Sequence, residues 1–326
     1  MGIYNQSDGY LLQIQRRAMA CEWEVLLRQD APGTAAEQAV EALELVARLE
    51  ECWSIYKPHS ELSRLNAAES AKGIEVSQNV IDLLEAALAA YQRTRGGFDI
   101  TAGSLTDTWG FSRQKARMPD DVELRQALAC VGSCYLKVDA ARRSVAFQRP
   151  GIRLNPGGIG KGLALERAAR WLIDSQVENF IIHGGRSSIR AVGERKKGSG
   201  AGWPVALKNP ANPDQVLGII RLFDQALGTS GHAHQYFHYQ GKRYGHVIDP
   251  RTGWPVQGVE SVTVLCPDAA IADALATGLY VLGPSQWAQF AELNQDIAII
   301  GLIPGKRSGE VHLETWNLPS RCWETV

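Results

Sequence analysis

The sequence predicts an α/β fold of the mixed α+β kind, with mixed or antiparallel sheets packed against helices, on three observations. Apolar residues recur at helical spacing in several segments. Strand-like runs stand beside one another as well as between helices, which a strictly alternating doubly wound fold does not allow. No internal repeat or linker-like stretch divides the chain, so residues 1–326 are expected to form one domain.

The first helix is expected over residues 34–53, where Val40, Leu43, Leu45, Val46 and Leu49 recur among acidic residues. A second fits 79–91 and a third 162–173, with Leu163, Ala164, Ala168 and Leu172 along one face. Asp268 is the expected N-cap of a fourth helix running to Leu282, and a fifth starts at Pro284-Ser285. Strands are expected at 22–27, 135–138, 144–148, 179–183, 205–208, 216–222, 261–266 and 298–302. The stretches 194–202 and 209–215 carry turn and loop residues and are expected to be loops.

Composition narrows the function classes. Hydrophobic residues make up 45% of the chain and charged residues 21%, the ordinary mix of a globular protein. A formal net charge of −1 gives no footprint for nucleic acid, and the basic run Arg195-Lys196-Lys197 is short enough to be a solvated loop. The six cysteines lack the second pair that a zinc site needs, and Cys266 lies in an apolar run; reduced, structural thiols are expected. No run of eighteen apolar residues exists, so no membrane span is expected. Residues 1–17 do not resemble a secretory signal, which points to the cytoplasm, or to the periplasm if a leader has been removed.

Three segments hold residue types suited to chemistry. Asn155-Pro156-Gly157-Gly158-Ile159-Gly160-Lys161-Gly162 lies between a strand and a helix, so its glycines admit close backbone approach and the helix end attracts phosphate. It matches neither the Walker loop nor the dinucleotide fingerprint, and taken alone it reads equally as a tight turn or a pyrophosphate cradle. Gly228-Thr229-Ser230-Gly231 precedes a run from His246 to Gly253, in which His246 stands at a strand edge beside a rigid turn. Imidazole suits proton transfer near neutral pH, although a lone histidine is also a common packed or solvated residue. His232, His234 and His238 alternate nearby without a ligand role being assigned to them. Finally, Asp273 and Thr277 are four apart on a helix, one turn above each other. They can share a hard cation, or be a back-bonded threonine and an exposed aspartate.

In order and spacing these segments resemble the family of FAD:protein FMN transferases, the ApbE-type flavin transferases. That family carries an Asp-Leu-Gly-Gly-Ile-Ala-Lys-Gly loop, a Thr-Ser-Gly step, a His-Ile-Ile-Asp-Pro-Arg-Thr-Gly motif and an Ala-Asp-Ala-Leu-Ala-Thr helix. The counterparts are the loop ending at Gly162, Thr229-Ser230-Gly231, His246 to Gly253, and Ala272 to Thr277, with weaker echoes upstream across roughly residues 17–283. The resemblance implies an FAD-binding cleft and magnesium-dependent transfer of FMN from FAD to a threonine or serine hydroxyl of a target protein, with AMP leaving. It implies Mg2+ held by Asp273, Thr277 and the Gly160 carbonyl, with His246 as the catalytic base. Gly157, Gly158, Lys161, Thr229, Ser230, Gly231 and Asp249 would line the nucleotide, and Met19, Tyr56 and Phe98 are candidates to pack on flavin or adenine. The same cleft would also serve an FAD pyrophosphatase yielding FMN and AMP, or a non-catalytic FAD-binding protein. Asn155 stands where the family has aspartate, and Gly184-Gly185-Arg186 where it commonly has Gly-Gly-Asp, so a less acidic pocket and weaker cation binding are expected.

Overall fold

The computed structural model describes residues 2–3, 11–68, 71–113, 115–231, 235–307 and 309–326. Its centre is an eight-stranded sheet of β1 (Leu11–Ala18), β2 (Cys21–Arg28), β3 (Phe180–Gly184), β4 (Ser188–Val192), β5 (Ala226–Gly231), β6 (Ser261–Cys266), β7 (Ala298–Pro304) and β8 (Val311–Trp316). Spatial order follows chain order, and every pairing is antiparallel. The sheet is therefore a meander into which the remaining elements are inserted.

Around it stand eight helices among the described residues: α1 (Ala35–Trp53), α2 (Glu61–Ala68), α3 (Gln78–Arg93), α4 (Gly103–Thr108), α5 (Asp121–Ala129), α6 (Gly160–Asp174), α7 (Ala269–Leu282) and α8 (Pro284–Leu293). Side chains alternate across a strand, so the sheet has two apolar faces. Val25, Leu27, Ile182, Val262 and Val264 join the core shared with α1, α6 and α7. Leu26, Ile181, Ile189, Leu227, Leu265 and Ile300 meet Trp203, Val205 and Ile220 of a second, four-stranded sheet. The result is a helix layer, the meander and a smaller sheet. Among the described residues no helix is long and apolar enough to cross a membrane.

The five expected helices and the eight expected strands are present within a few residues of their expected ends. The stretch 209–215 is corrected, because it turns directly into the strand Asn212–Leu222, paired antiparallel with Trp203–Asn209. Register shifts around Val216 accommodate this polar, proline-containing start, as bulges do. Edge strands β1 and β8 escape the apolar pattern because polar residues such as Gln13, Gln15, Arg17, His312 and Glu314 interrupt it, and the leucines Leu12 and Leu313 are themselves exposed. Helix α5 carries a signal that sequence reading passed over: Asp120 and Glu123 form a capping box. All six cysteines are free thiols, and burial pushes Cys52 up to about 11 and Cys266 up to about 12.

Candidate functional site

One end of the meander collects the turns that matter. The β1–β2 turn at Met19-Ala20, the β3–β4 turn at 185–187 and the β5–β6 ends at Gly231 and Ser261 all lie there. The α6 N-terminus reaches the same rim, because Lys161 Nζ donates to Ser187 Oγ at 2.7 Å.

The glycine-rich loop is held from both sides. The Asn66 side chain of α2 accepts from the Leu154 N–H at 2.7 Å and donates to the Leu154 carbonyl at 2.9 Å, as a neighbouring strand would. Asn155 accepts from the Gly157 N–H at 2.9 Å and donates to Thr106 Oγ1 of α4 at 3.3 Å. Both ends of its amide thus serve the turn. The chain then enters α6, with the Gly160 N–H donating to the Pro156 carbonyl at 2.7 Å.

Helix α7 lies directly against this loop. Asp273 is 5% exposed and accepts two hydrogen bonds, from the Gly162 N–H to Oδ2 and from Ser188 Oγ to Oδ1, both at 2.9 Å. The exposed-aspartate reading is therefore overturned. Thr277 Oγ1 lies 2.8 Å from Ser230 Oγ and 3.4 Å from the Asp273 carbonyl, so it bonds across to β5 while touching its own helix. A Cβ on Gly162 would come within 2.5 Å of the Asp273 Cβ, which is why the loop and helix need a glycine there. At Gly158 a Cβ would stand 3.0 Å from Thr277 Oγ1 and 3.1 Å from the Phe98 ring, which places buried Phe98 beside the pair.

The other expected residues make contacts of their own. Thr229 faces the opposite side of β5 from Ser230, its hydroxyl 3.0 Å from Thr263 Oγ1. Asp249 accepts from the Arg251 N–H and guanidinium at 2.8–2.9 Å, so its charge is spent inside its own turn. Tyr56 is 68% exposed on the loop after α1. Met19 sits at φ 48° and Ala20 at φ 59°, a left-handed pair closing the β1–β2 hairpin. Arg186 occupies the exposed tip of the β3–β4 turn at φ 62°.

His246 follows the hairpin of strands Tyr236–Tyr239 and Lys242–Gly245 and is half-buried. Its ring lies 6.4 Å from that of Phe111, and Nδ1 is 3.3 Å from the Gln235 carbonyl. A hydrogen bond to a carbonyl requires Nδ1–H, which puts the basic lone pair of a neutral ring on Nε2. Trp109 anchors this arm: Nε1 donates to the Gly253 carbonyl at 2.8 Å, and the indole packs against Phe237, Tyr244 and Trp254. Helix α4 therefore touches the glycine loop through Thr106, and its C-cap Trp109 holds the histidine arm. His232 and His234 lie outside the described residues, and His238 is exposed on the hairpin.

Sequence reading gave no role to Ser188, Glu166, Asn66 or Trp109. Ser188 carries no local signal of its role, since its partner is 85 positions away, and the strand it opens is not among the expected ones. Among the described residues no group of three or more histidines, cysteines or acids gathers as a metal centre.

A model of the ApbE family matches residues 19–300. The chain belongs to the ApbE family. It is 30% identical over 299 residues to the FAD:protein FMN transferase of Haemophilus influenzae, covering 89% of this chain and 86% of that one. It is 33% identical over 270 residues to the FAD:protein FMN transferase of Vibrio cholerae, covering 81% and 79%. Among solved structures, the ApbE protein of Thermotoga maritima is similar with a TM-score of 0.83 at 28% identity, covering 94% of this chain and 96% of that one. The flavin transferase ApbE of Vibrio cholerae gives 0.81 at 28% identity, covering 94% and 97%. The ApbE motifs fall at the rim described above and on the arm that Trp109 anchors.

Proposed function

We propose that this protein transfers FMN from FAD to a hydroxyl of a target protein, releasing AMP. The observation that carries the reading is the convergence of Asp273 and Thr277 of α7, Ser230 of β5 and the Gly158–Gly162 loop, three separate segments meeting within hydrogen-bond distance. Lys161 and the α6 N-terminus add positive potential suited to a pyrophosphate.

The donor set fits a magnesium ion. One carboxylate with two of its four lone-pair positions already used, two hydroxyls and backbone oxygen are hard ligands, and magnesium takes few protein oxygens beside phosphate and water. When bound, the ion neutralises phosphate charge. Asp273 and Thr277 would hold it, and Lys161 would orient the pyrophosphate. In the transfer, the acceptor oxygen forms a bond to the FMN-side phosphorus and the bond to the AMP oxygen breaks. His246 Nε2 takes the acceptor's proton, and AMP leaves with the bridging oxygen. Phe98, at the wall of the pair, would exclude water on that side.

The test is incubation with FAD, Mg2+ and a threonine- or serine-containing acceptor protein, read by mass spectrometry. A covalent FMN adduct is expected with the native chain and is lost with Asp273→Asn and with His246→Ala. Release of FMN and AMP with no adduct on any acceptor would replace the reading with a pyrophosphatase.

A further inference from the structure

Helix α7 is tied to α6 and β4 twice, one turn apart. In the first tie the carboxylate belongs to α7: Asp273 accepts from the Gly162 N–H of α6 and from Ser188 of β4. In the second it belongs to α6: Glu166 Oε2 accepts from the Ala269 N–H of α7 at 2.9 Å and lies 3.8 Å from Arg190 Nε of β4. Gly162 and Glu166 are four apart on α6, as Ala269 and Asp273 are on α7, and Ser188 and Arg190 share one face of β4. The Glu166 and Arg190 side chains are 15% and 10% exposed, so water competes weakly for these contacts.

The two ends of the arrangement differ in purpose. The first turn of α7 has orphan amides, and the local N-cap Asp268 satisfies that of Ile271. Glu166 satisfies that of Ala269 from another helix. A local cap stabilises α7 wherever it lies. A carboxylate from α6 fixes where it lies, because sliding or turning α7 breaks the bond to Ala269 together with those of Asp273.

We propose that Glu166, braced by Arg190, is a positioning residue that sets the place of Asp273 and Thr277 against the glycine loop and so sets the affinity of the cation site. The inference rests on the cation reading given above.

The test titrates the full-length protein with Mn2+ or Mg2+ in the presence of FAD, by electron paramagnetic resonance or calorimetry, and records thermal unfolding without metal. Glu166→Ala is expected to weaken cation binding about tenfold, the low end of the cost of losing a metal ligand's own partner, because Glu166 acts on Asp273 through Ala269. Asp268→Ala, which removes the local cap, is expected to lower the unfolding temperature while leaving cation affinity within about twofold. Glu166→Gln keeps an acceptor for the Ala269 N–H and is the milder variant, expected about threefold or more weaker, and it carries the test should the alanine variant not fold. Native affinity in the folded Glu166 variants, with Asp273→Asn having lost it, overturns the positioning role. Native affinity in Asp273→Asn as well overturns the cation reading itself.

Discussion

Asp273 is a carboxylate with half of its accepting capacity already committed, to Gly162 and Ser188. Asparagine keeps its shape but turns one acceptor into a donor, facing either an N–H or a hydroxyl. Asp273→Asn is expected to lower both cation affinity and transfer by more than about a hundredfold, since outer partners alone are worth tenfold to a hundredfold. Calorimetry and initial rates check it. A second residue-scale effect lies in the β1–β2 turn, where Ala20 holds φ 59° with a Cβ. A left-handed conformation costs a non-glycine residue roughly 1–2 kcal/mol. Ala20→Gly is expected to raise the urea midpoint by the equivalent of about 1 kcal/mol, offset in part by the glycine's larger entropy loss.

At the scale of elements, the contact between β5 and α7 decides the site. Gly228 faces α7, and a Cβ there would come within 2.5 Å of the Ala272 carbonyl, which is backbone and cannot rotate away. Strand and helix approach so closely here that only glycine fits without a shift of backbone. Gly228→Ala is expected to destabilise by about 1–3 kcal/mol, the usual cost of overpacking. It should also weaken cation binding, because Asp273 follows Ala272 directly. Denaturant unfolding and metal titration of the same sample separate the two effects. Asn155, where the family resemblance leads one to expect aspartate, has a local use: its amide closes the turn to Gly157 and reaches Thr106.

Across the whole molecule, both outer layers share the faces of one meander, so neither keeps a core without it. We propose on this ground that residues 1–326 are one folding unit, and expect coincident urea transitions by tryptophan fluorescence and circular dichroism. Separate transitions would divide the chain. The same sheet carries a pH-sensitive row. His183 Nε2 lies 2.8 Å from Glu24 Oε2, both nearly buried, and Gln15 donates to the same carboxylate. Burial holds His183 below the ordinary imidazole value, opposed by Glu24 and reinforced by Arg186. As pH falls the unfolded chain takes up this proton first, so the contribution is full above about pH 6.5 and is lost through the lower folded value. The urea midpoint is expected to drop below that pH, and His183→Gln should flatten the drop.

Local pattern in the chain controls its elements. Helical spacing placed α1, α3 and α6, start signals at Asp268 and Pro284 placed α7 and α8, strand-like runs placed β2, β3, β6 and β7 but not β4 and β5, and the four-residue spacing of Asp273 and Thr277 put both on one helix face. Ordered motifs identified the family. Which side chains meet is a property of the folded chain, because those pairings join distant segments. Asp273 with Ser188, Glu166 with Ala269 and Asn66 with Leu154 are 85, 103 and 88 positions apart. Strand alternation also sorted Ser230 toward Thr277 and Thr229 away from it, a distinction that needs the register of β5 against its neighbours. The meander order has the same origin: a strand's partner is chosen by which faces the helices and second sheet can bury together, and no single segment contains that information.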